Sequence, residues 1–351
     1  MAIEIIGTGR ALPPKRVSNE ELAAQVDTTD EWIRSHTGIG SRYIVEESVA
    51  CSDLAAEAAK NAMAMAAGYT GNDPAERDKI AAEYAKTIDL IILATATADY
   101  YGTPSTACVV QRKIGARQAA AMDITAGCTG FVYGLETAAG LLCVNNERKR
   151  ALVIGAEVLS KMTNWEDRKT CVLFGDGAGA VVLEKTGNCC DNKSGLITTL
   201  LYADGSGEES LLMRRGGTRN PFKKGEVVDS SICVEMNGQE VYNFAVGAIT
   251  DTIAALMKAE KTGFKDISID DIAWIVPHQA NARIVKAARI RLHIPTEKVY
   301  MNIEEYANTS SATIPIALDE LNRGGKIKKG DIVLTVGFGG GLTYGGNIII
   351  W

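Results

Sequence analysis

The chain of 351 residues contains the same order of predicted elements twice, and this repeat restricts its possible folds more than any other feature. In each half an apolar run predicts a buried strand, which is followed by a predicted helix and a second predicted strand. We call the residue between this second strand and the next helix the pivot. A further helix and strand then complete the unit. The two units span residues 89–156 and 271–337, with Cys128 and Asn308 as their pivots.

The spacings inside the two units agree as well. The first strand begins 39 residues before Cys128 in one unit and 37 residues before Asn308 in the other, and the last strand lies 24 and 25 residues beyond each pivot. Buried strands that alternate with helices predict largely parallel sheets covered on both faces. We therefore expect an α/β fold with two similar halves, residues 1–185 and 186–351, in which a short strand at 299–302 precedes the second pivot.

Composition excludes several classes of function. The hydrophobic fraction of 46% and charged fraction of 23% are typical of a globular protein, and a net charge of −6 gives no overall basic field for nucleic acid. No run approaches the ~18 apolar residues that cross a membrane, and the N-terminus predicts a strand, not a signal peptide. The eight cysteines lack paired zinc-site spacing, so we expect no metal and a reducing, cytoplasmic environment. The adjacent Cys189 and Cys190 predict a surface loop.

Cys128 lies between a predicted strand at 119–124 and a predicted helix at 131–142. The partial positive charge of a helix N-terminus favours the thiolate, which is the nucleophile in acyl transfer. This position predicts a covalent acyl-enzyme. A lone cysteine among small residues is more often a buried core residue, and the local sequence leaves that alternative open.

His278 follows the predicted strand at 271–277 and precedes a predicted helix at 282–292. Of the three histidines it alone lies at a strand end, although a structural hydrogen-bonding role is the commoner one there. Ligands favour the carboxyl ends of such strands, so Cys128, His278 and Asn308 can face one pocket if the halves pack together.

Two glycine-rich segments complete the pattern. Residues 174–179 are followed by a strand and not a helix, so they predict a tight turn between closely packed backbones and only weakly resemble a phosphate loop. Residues 338–346 follow the last predicted parallel strand. Their glycines let backbone N–H groups approach a ligand, as an oxyanion hole requires.

Four motifs in this order resemble β-ketoacyl-acyl carrier protein synthase III, the initiating condensing enzyme of type II fatty acid synthesis. They are DITAGCTGF around Cys128, VPHQANARI around His278, YANTSSATIP around Asn308, and GFGGGLTYGG near the end. The resemblance runs from about residue 2 to 351. It leaves out residues 71–87, which predict a charged surface insertion.

The resemblance implies a thiolase-like fold, with duplicated βαβαβ halves in five α-β-α-β-α layers, and normally a homodimer. It implies that Cys128 attacks an acyl-CoA primer and releases CoA, with no cofactor beyond the thioester substrates. His278 and Asn308 would then hydrogen-bond the thioester oxygen of malonyl-acyl carrier protein as carbon dioxide leaves. The backbone N–H groups of Cys128 and Gly340 would hold the acylation oxyanion, and Phe338 would line the malonyl site.

The binding residues that the resemblance implies match less completely. Trp32 and Arg168 match the pair that sandwiches the CoA adenine, and Gly238 and Asn281 match pantetheine contacts. Basic residues expected near Trp32 are replaced by His36 and Gly40, which weakens or redirects the grip on the CoA phosphates. The carrier-protein patch is represented by Arg283, Lys286 and Arg289, together with Arg291, on one predicted helix, while an expected lysine is Asn243.

Thr103 occupies a position that the resemblance assigns to the partner subunit's acyl pocket. That position is often bulkier in the family. A small residue there predicts space for primers larger than acetyl.

Several related activities are disfavoured by missing residues. A 3-hydroxy-3-methylglutaryl-CoA synthase needs a glutamate near the cysteine, and the matching segment 95–99 has none. A degradative thiolase needs a second cysteine in the last glycine segment, which has none. A non-catalytic subunit would lack the active cysteine, whereas Cys128, His278 and Asn308 are all present. Neither glycine segment fits a dinucleotide site. A related acyltransferase of specialised metabolism, with another acyl donor or acceptor, stays open.

Overall fold

The structure is a computed structural model that describes residues 2–187, 194–227, 232–258 and 267–351. The surface loop predicted at Cys189 and Cys190 lies outside the described residues. The strands within the described ranges are β1 Ala2–Ala11, β2 Lys15–Ser18, β3 Ser41–Ile44, β4 Leu90–Ala94, β5 Ala120–Ile124, β6 Arg150–Val158, β7 Asp176–Thr186, β8 Gly195–Ala203, β9 Leu211–Met213, β10 Val234–Met236, β11 Ile272–Pro277, β12 Ile332–Gly339 and β13 Thr343–Ile350. The α-helices there are α1 Asn19–Ala23, α2 Asp30–Thr37, α3 Cys51–Ala66, α4 Pro74–Tyr84, α5 Thr106–Ile114, α6 Gly130–Val144, α7 Gly238–Leu256, α8 Ala282–Arg291, α9 Ile303–Tyr306 and α10 Thr313–Arg323.

The first large sheet has the strand order β1-β7-β6-β4-β5. Strand β4 is parallel to β5 and β6, whereas β7 is antiparallel to β6 and β1. Every residue of β4 is buried, as its unbroken apolar sequence predicts. Strand β5 forms an edge of this sheet, where Ala120 and Met122 are exposed.

The second large sheet repeats this arrangement in the order β11-β12-β13-β8. Strand β11 is parallel to β12, and β13 is antiparallel to both β12 and β8. Each strand of the second sheet thus has a counterpart in the first, with β11 in place of β4 and β12 in place of β6. The repeat in the sequence is therefore a repeat in the fold.

The sheets and helices form the five layers that the resemblance implied. Helices α3 and α5 cover the outer face of the first sheet, α6 and α10 lie between the two sheets, and α7 and α8 cover the outer face of the second. One hydrophobic core lies under each outer pair of helices, and a third, which includes Phe131 and Leu318, surrounds the middle pair. We keep the division into residues 1–185 and 186–351 as a proposal. In the structure β7 ends at Thr186, and α10 packs on β7 and β1.

The prediction of a strand at 299–302 is wrong. Val299 forms a single isolated bridge to Ile275. The side chain of Gln279 takes the place of a neighbouring strand: it donates to the carbonyl of Tyr300 at 3.1 Å and accepts from the N–H of Asn302 at 3.1 Å. A side chain thus satisfies the backbone groups that a ladder would have paired.

The turn predicted at 174–179 is also largely wrong, because β7 begins at Asp176 and includes two of the glycines. The expected close packing of backbones is present. A Cβ on Gly179 would lie 2.6 Å from the backbone nitrogen of Ile316, so glycine lets α10 lie directly on the strand.

The charged segment 71–87 forms a mostly exposed helix. Asp73 caps the start of α4, and ion pairs attach the helix to α3, including Lys60 to Asp78 at 3.0 Å and Arg77 to Glu57. Ala81 is the buried residue of α4. The predicted surface position is therefore observed, with a helical conformation.

One segment, Gly127–Val144, has the length and apolar composition of a membrane span, which corrects the expectation that no run approaches that length. It comprises α6 and the turn before it. The helix packs against strands of both large sheets, and the buried helix of a protein core has the same composition.

Candidate active site

Cys128 lies where the sequence places it, between a strand and a helix. Strand β5 ends at Ile124, a 3-10 turn spans Gly127–Thr129, and α6 begins at Gly130. The side chain is half-buried and lines a cavity of about 600 Å³. His278, Asn308, Phe338 and Gly340 line the same cavity, so both halves of the chain contribute to one site.

The thiol of Cys128 is protonated at rest. Burial raises its pKa to about 12, and a hydrogen bond from the side chain of Ser310 opposes that shift only in part. Burial thus acts against the effect expected from the helix end, which favours the thiolate and stays a prediction. A nucleophilic Cys128 must lose its proton as it reacts.

His278 follows β11 and is fully buried as a neutral imidazole. Burial lowers its pKa to about 3. Its Nδ1 lies 2.7 Å from Oγ1 of Thr313, and its ring packs edge-on against Phe338. Its Nε2 has no hydrogen-bond partner among the described residues. This nitrogen is therefore available to a substrate or to a neighbouring thiol.

Asn308 is held in a strained turn between α9 and α10. Its neighbours Ala307 and Ser310 have positive φ values of 56° and 48°. Its N–H donates to Leu173 at 3.0 Å, and its carbonyl accepts from Gly175 at 3.1 Å. Its Oδ1 accepts from the N–H of Ser310 at 2.8 Å, which orients the amide and leaves the NH₂ group as the donor toward the cavity.

The last glycine segment brings two backbones together at the cysteine. A Cβ on Gly339 would lie 2.4 Å from the backbone nitrogen of Cys128, and one on Gly127 would lie 2.6 Å from that of Gly340. Any side chain at either glycine would force these backbones apart. The N–H groups of Cys128 and Gly340 therefore belong to neighbouring backbones, as a pair of oxyanion donors requires.

Much of the remaining cavity lining is apolar. It includes Leu211, Leu212, Met213, Val234, Met236, Val241, Tyr242, Phe244 and Leu342. Such a lining suits an acyl chain or an extended pantetheine arm.

Trp32 lines the cavity on α2, which Thr29 caps at its start and Gly38 ends in the left-handed conformation. The guanidinium of Arg168 lies 4.7 Å from the Trp32 ring, and His36 stacks on Trp32 with centroids 4.3 Å apart. The two residues predicted to sandwich an adenine are therefore in contact with each other.

Gly238, Asn281 and Arg283 also line the cavity. Asn281 caps α8 by accepting from the N–H of Arg283, and its amide donates to the carbonyl of His36 at 3.0 Å. Asn281 therefore links the start of α8 to the end of α2. Gly40 is buried, and a Cβ there would meet the Arg34 guanidinium.

Other predicted residues lie outside the cavity lining. Lys286 is exposed on α8, whereas Arg289 is half-buried and donates to the carbonyl of Ile294 at 2.8 Å. Thr103 is exposed in the connection between β4 and α5. Asn243 is exposed on α7 and accepts from Gln239 at 3.0 Å.

Three polar residues around the site were missed by the sequence analysis: Glu157, Ser310 and Thr313. The carboxyl of Glu157 is buried behind the turn that holds Asn308, where it accepts from Ser311 at 2.8 Å. Two signals could have identified them, a glutamate inside the apolar run ALVIGAEVL and the hydroxyl-rich run after Asn308. Within the described residues, no group of three or more His, Cys, Asp or Glu side chains is placed to hold a metal ion.

Comparison with known proteins identifies the family. The profile of 3-oxoacyl-[acyl-carrier-protein] synthase III matches residues 122–205, which include Cys128. The profile of the C-terminal part of the same enzymes matches residues 264–351, which include His278 and Asn308.

Two curated relatives match over the whole chain. Beta-ketoacyl-[acyl-carrier-protein] synthase III of Caldanaerobacter subterraneus subsp. tengcongensis is 45% identical over 351 residues, covering 100% of this chain and 98% of the relative. The enzyme of the same name from Microcystis aeruginosa is 46% identical, with the same coverage. The crystal structure of 3-oxoacyl-[acyl-carrier-protein] synthase III from Aquifex aeolicus VF5 is 40% identical, has a TM-score of 0.83, and covers 99% of this chain and 100% of that one. The chain therefore has the thiolase-like fold and belongs to the β-ketoacyl-acyl carrier protein synthase III family, the acyltransferases that initiate type II fatty acid synthesis by condensation.

Proposed function

We propose that this chain performs its condensation through Cys128, His278 and Asn308, with an acyl-CoA as primer and malonyl-acyl carrier protein as extender. The observation that carries this proposal is the single cavity that these three residues line. The names of the relatives supply the carrier-protein chemistry. The proposed steps use side chains and thioesters alone, so we propose a reaction without a metal or organic cofactor.

In the first half-reaction the sulfur of Cys128 attacks the thioester carbon of the acyl-CoA. A C–S bond to Cys128 forms, the C–S bond to CoA breaks, and the cysteine proton ends on the departing CoA thiol. His278 is neutral and has an unpaired Nε2, so it can take that proton and pass it on. The N–H groups of Cys128 and Gly340 stabilise the oxyanion of the tetrahedral intermediate.

In the second half-reaction the malonyl thioester loses carbon dioxide. The electron pair of the broken C–C bond moves onto the thioester oxygen as an enolate, and Asn308 and His278 donate hydrogen bonds to that oxygen. The carbanion then attacks the acyl carbon on Cys128. A C–C bond forms, the C–S bond to Cys128 breaks, the sulfur takes up a proton that comes from solvent, and 3-oxoacyl-acyl carrier protein is released. Phe338 packs against His278 and lines this part of the cavity.

The hydroxyl of Thr313 allows His278 to serve both half-reactions. It has one hydrogen and two acceptors in reach, His278 Nδ1 at 2.7 Å and the carbonyl of Ser310 at 3.0 Å. When it donates to Ser310, Nδ1 carries the imidazole proton and Nε2 can accept one. When it donates to Nδ1, Nε2 carries the proton and can donate to the enolate.

The CoA adenine is proposed to bind at Trp32. Arg168 must move from the Trp32 ring to admit it, and the guanidinium then covers the other face of the base. His36 stands where the resemblance leads us to expect an arginine. Its Nδ1 lies 2.8 Å from the carbonyl oxygen of Trp32. Gly238 and Asn281 line the same cavity and are proposed to contact the pantetheine arm.

The carrier protein is proposed to dock at Arg283 and Lys286. Both are exposed on α8, and Arg283 also lines the cavity, so an acidic partner placed there would direct its phosphopantetheine inward. Arg289 contributes less to this surface, because its guanidinium is engaged with the Ile294 carbonyl.

We propose a homodimer that pairs through the edge strand β5. Ala120 and Met122 are exposed on this edge, and an uncovered apolar edge favours strand pairing. Thr103 in the nearby connection would then reach the partner's acyl pocket, and its small side chain favours primers larger than acetyl. We place the enzyme in the cytoplasm, where thiols stay reduced. The six described cysteines are all free.

The test is intact-protein mass spectrometry with a panel of acyl-CoAs, followed by addition of malonyl-acyl carrier protein. Wild type and Cys143→Ser, a matched change at an exposed cysteine, should gain the acyl mass, whereas Cys128→Ala should not. Asn308→Ala should gain it but discharge it ~10²–10³ times more slowly. His278→Ala should gain it more slowly, because the acceptor of the cysteine proton is lost, and should show the same slow discharge. An acyl adduct on Cys128→Ala would contradict the proposal, and the primer that reacts fastest identifies the substrate.

A further inference from the structure

Arg42 is a buried arginine on β3 that the reaction described above does not use. Its side chain is 0% exposed. Nη2 donates to the carbonyl of Val172 at 3.2 Å, whereas Nε and Nη1 have no hydrogen-bond partner among the described residues. Burial lowers the pKa of Arg42 to about 10, so the guanidinium stays charged at neutral pH. A buried cation is costly to keep, so its contact with Val172 requires an explanation.

The segment 172–175 holds the backbone of Asn308 through two hydrogen bonds. The carbonyl of Leu173 accepts from the N–H of Asn308 at 3.0 Å, and the N–H of Gly175 donates to the carbonyl of Asn308 at 3.1 Å. Asn308 follows Ala307, whose φ of 56° is a strained value that persists only where the surrounding structure maintains it. The position of this segment therefore determines the position of the Asn308 backbone.

Arg42 contacts both ends of the same segment. Its guanidinium donates to Val172 at the start, and its Cβ would lie 3.2 Å from a Cβ placed on Gly175 at the end. A hydrogen bond from a charged donor is stronger than one between neutral groups. Among the described residues, Nη2 of Arg42 is the donor that the Val172 carbonyl has. Arg42 thus fixes the segment that in turn holds Asn308.

We propose that Arg42 is a positioning residue for Asn308: through the segment 172–175, its guanidinium keeps the Asn308 amide where it can donate to the enolate oxygen. A preorganised donor stabilises the developing charge, and a donor that shifts loses part of that stabilisation. Arg42 should therefore affect the discharge of the acyl-enzyme much more than its formation, in which Asn308 takes no part. This inference rests on the proposed role of Asn308 in the second half-reaction.

The experiment compares wild type with Arg42→Met, which keeps an apolar stem and removes the guanidinium. Rapid-quench mass spectrometry measures acylation at saturating acyl-CoA, and then discharge of the acyl-enzyme by saturating malonyl-acyl carrier protein. Arg42→Met should discharge about tenfold more slowly than wild type and acylate within about threefold of the wild-type rate. If Arg42→Met does not fold in urea titrations, Arg42→Leu replaces it in the same assays, with the same expected outcomes.

The matched control is Arg148→Met. Arg148 also donates to a backbone carbonyl, that of Leu141 at 3.4 Å, and it lies outside the cavity lining. Both rates of this variant should equal those of wild type, because its guanidinium has no contact with the segment 172–175.

A double variant separates positioning from a general structural role. Once Asn308 is alanine, its amide can no longer be displaced, so adding Arg42→Met to Asn308→Ala should change the remaining discharge rate by less than about twofold. Discharge by Arg42→Met at the wild-type rate, or a tenfold slowing that persists in the double variant, would overturn the proposal. Discharge by Asn308→Ala alone at the wild-type rate would instead refute the proposed function.

Discussion

The hydrogen bond between Thr313 and His278 gives the most direct test of the site, through the isosteric change Thr313→Val. The hydroxyl is buried and lies 2.7 Å from Nδ1 of His278. It also donates to the carbonyl of Ser310, but that carbonyl keeps the backbone N–H of Thr313 as a donor. The substitution therefore leaves one buried group, the imidazole nitrogen, without a partner.

A buried polar group that loses its partner costs about 1–3 kcal/mol in the free energy of unfolding. The same loss of orientation at His278 should slow discharge of the acyl-enzyme by malonyl-acyl carrier protein by about 10- to 100-fold. Acylation by acyl-CoA should also slow, because His278 accepts the cysteine proton in that step, but by a smaller factor, because its oxyanion donors are backbone N–H groups.

The matched control is Thr252→Val on α7. Thr252 is 1% exposed, and its hydroxyl has no hydrogen-bond partner among the described residues, so valine there should be neutral or stabilising by about 1 kcal/mol. Urea unfolding followed by tryptophan fluorescence gives the stabilities, and rapid-quench mass spectrometry of the pre-acylated enzyme gives the discharge rate. If Thr313→Val unfolds at the same urea concentration as Thr252→Val and discharges at the wild-type rate, the hydrogen bond does not orient His278.

Three further predictions concern charge, close packing and the cavity mouth. His278 has a folded pKa of about 3 against an ordinary value of 6.5, so from pH 6 to 4 the unfolded chain binds a proton that the folded chain does not. The unfolding free energy of wild type should therefore fall relative to that of His278→Phe, by up to about 1.4 kcal/mol per pH unit in urea titrations. Gly155→Ala places a Cβ 2.2 Å from the backbone carbonyl oxygen of Ser311 and should lower the free energy of unfolding by about 3 kcal/mol or more in thermal or urea unfolding. Gly140→Ala, on the exposed side of α6, should instead raise it by about 0.5–1 kcal/mol. Equal effects of the two substitutions would contradict the packing argument. Arg168→Ala removes the cation that lies over the Trp32 ring and should raise the KM for acyl-CoA by about 2- to 30-fold in steady-state assays. The rate at which malonyl-acyl carrier protein discharges the acyl-enzyme should not change. An unchanged KM would place the adenine elsewhere.

The sequence was sufficient to predict the position of Cys128, because strand, small-residue turn and helix are all local signals. Helix α8 begins at the predicted Ala282 for the same reason, with Asn281 as its cap. The repeat also predicted that the pivots Cys128 and Asn308 would line one cavity. Each of these predictions depends on periodicity or on a neighbour within a few residues.

The electrostatic state of the site could not be predicted in this way. The helix-end argument for a Cys128 thiolate considered one local contribution, whereas burial, which raises the pKa of the thiol, depends on residues far apart in sequence. Glu157 was missed because its hydrogen-bond partner Ser311 is 154 residues away in sequence. The failed strand at 299–302 has a similar cause, since the side chain of Gln279 replaces the ladder.

The arrangement of protonation states has a consequence for the proposed chemistry. Cys128 and His278 are both uncharged at rest, and in the part of the chain that the structure describes their hydrogen-bond partners are hydroxyls and backbone groups, not lysine or arginine. In a buried site a fixed cation would stabilise the cysteine thiolate permanently, and it would also attract the malonyl carboxylate and so oppose its loss as neutral carbon dioxide. Neutral donors stabilise charge only where it develops, on the thioester oxygen, and so lower the barrier without stabilising the starting carboxylate. A site that must deprotonate a thiol and then expel carbon dioxide is therefore better served by Thr313, Ser310 and Asn308 than by any charged residue.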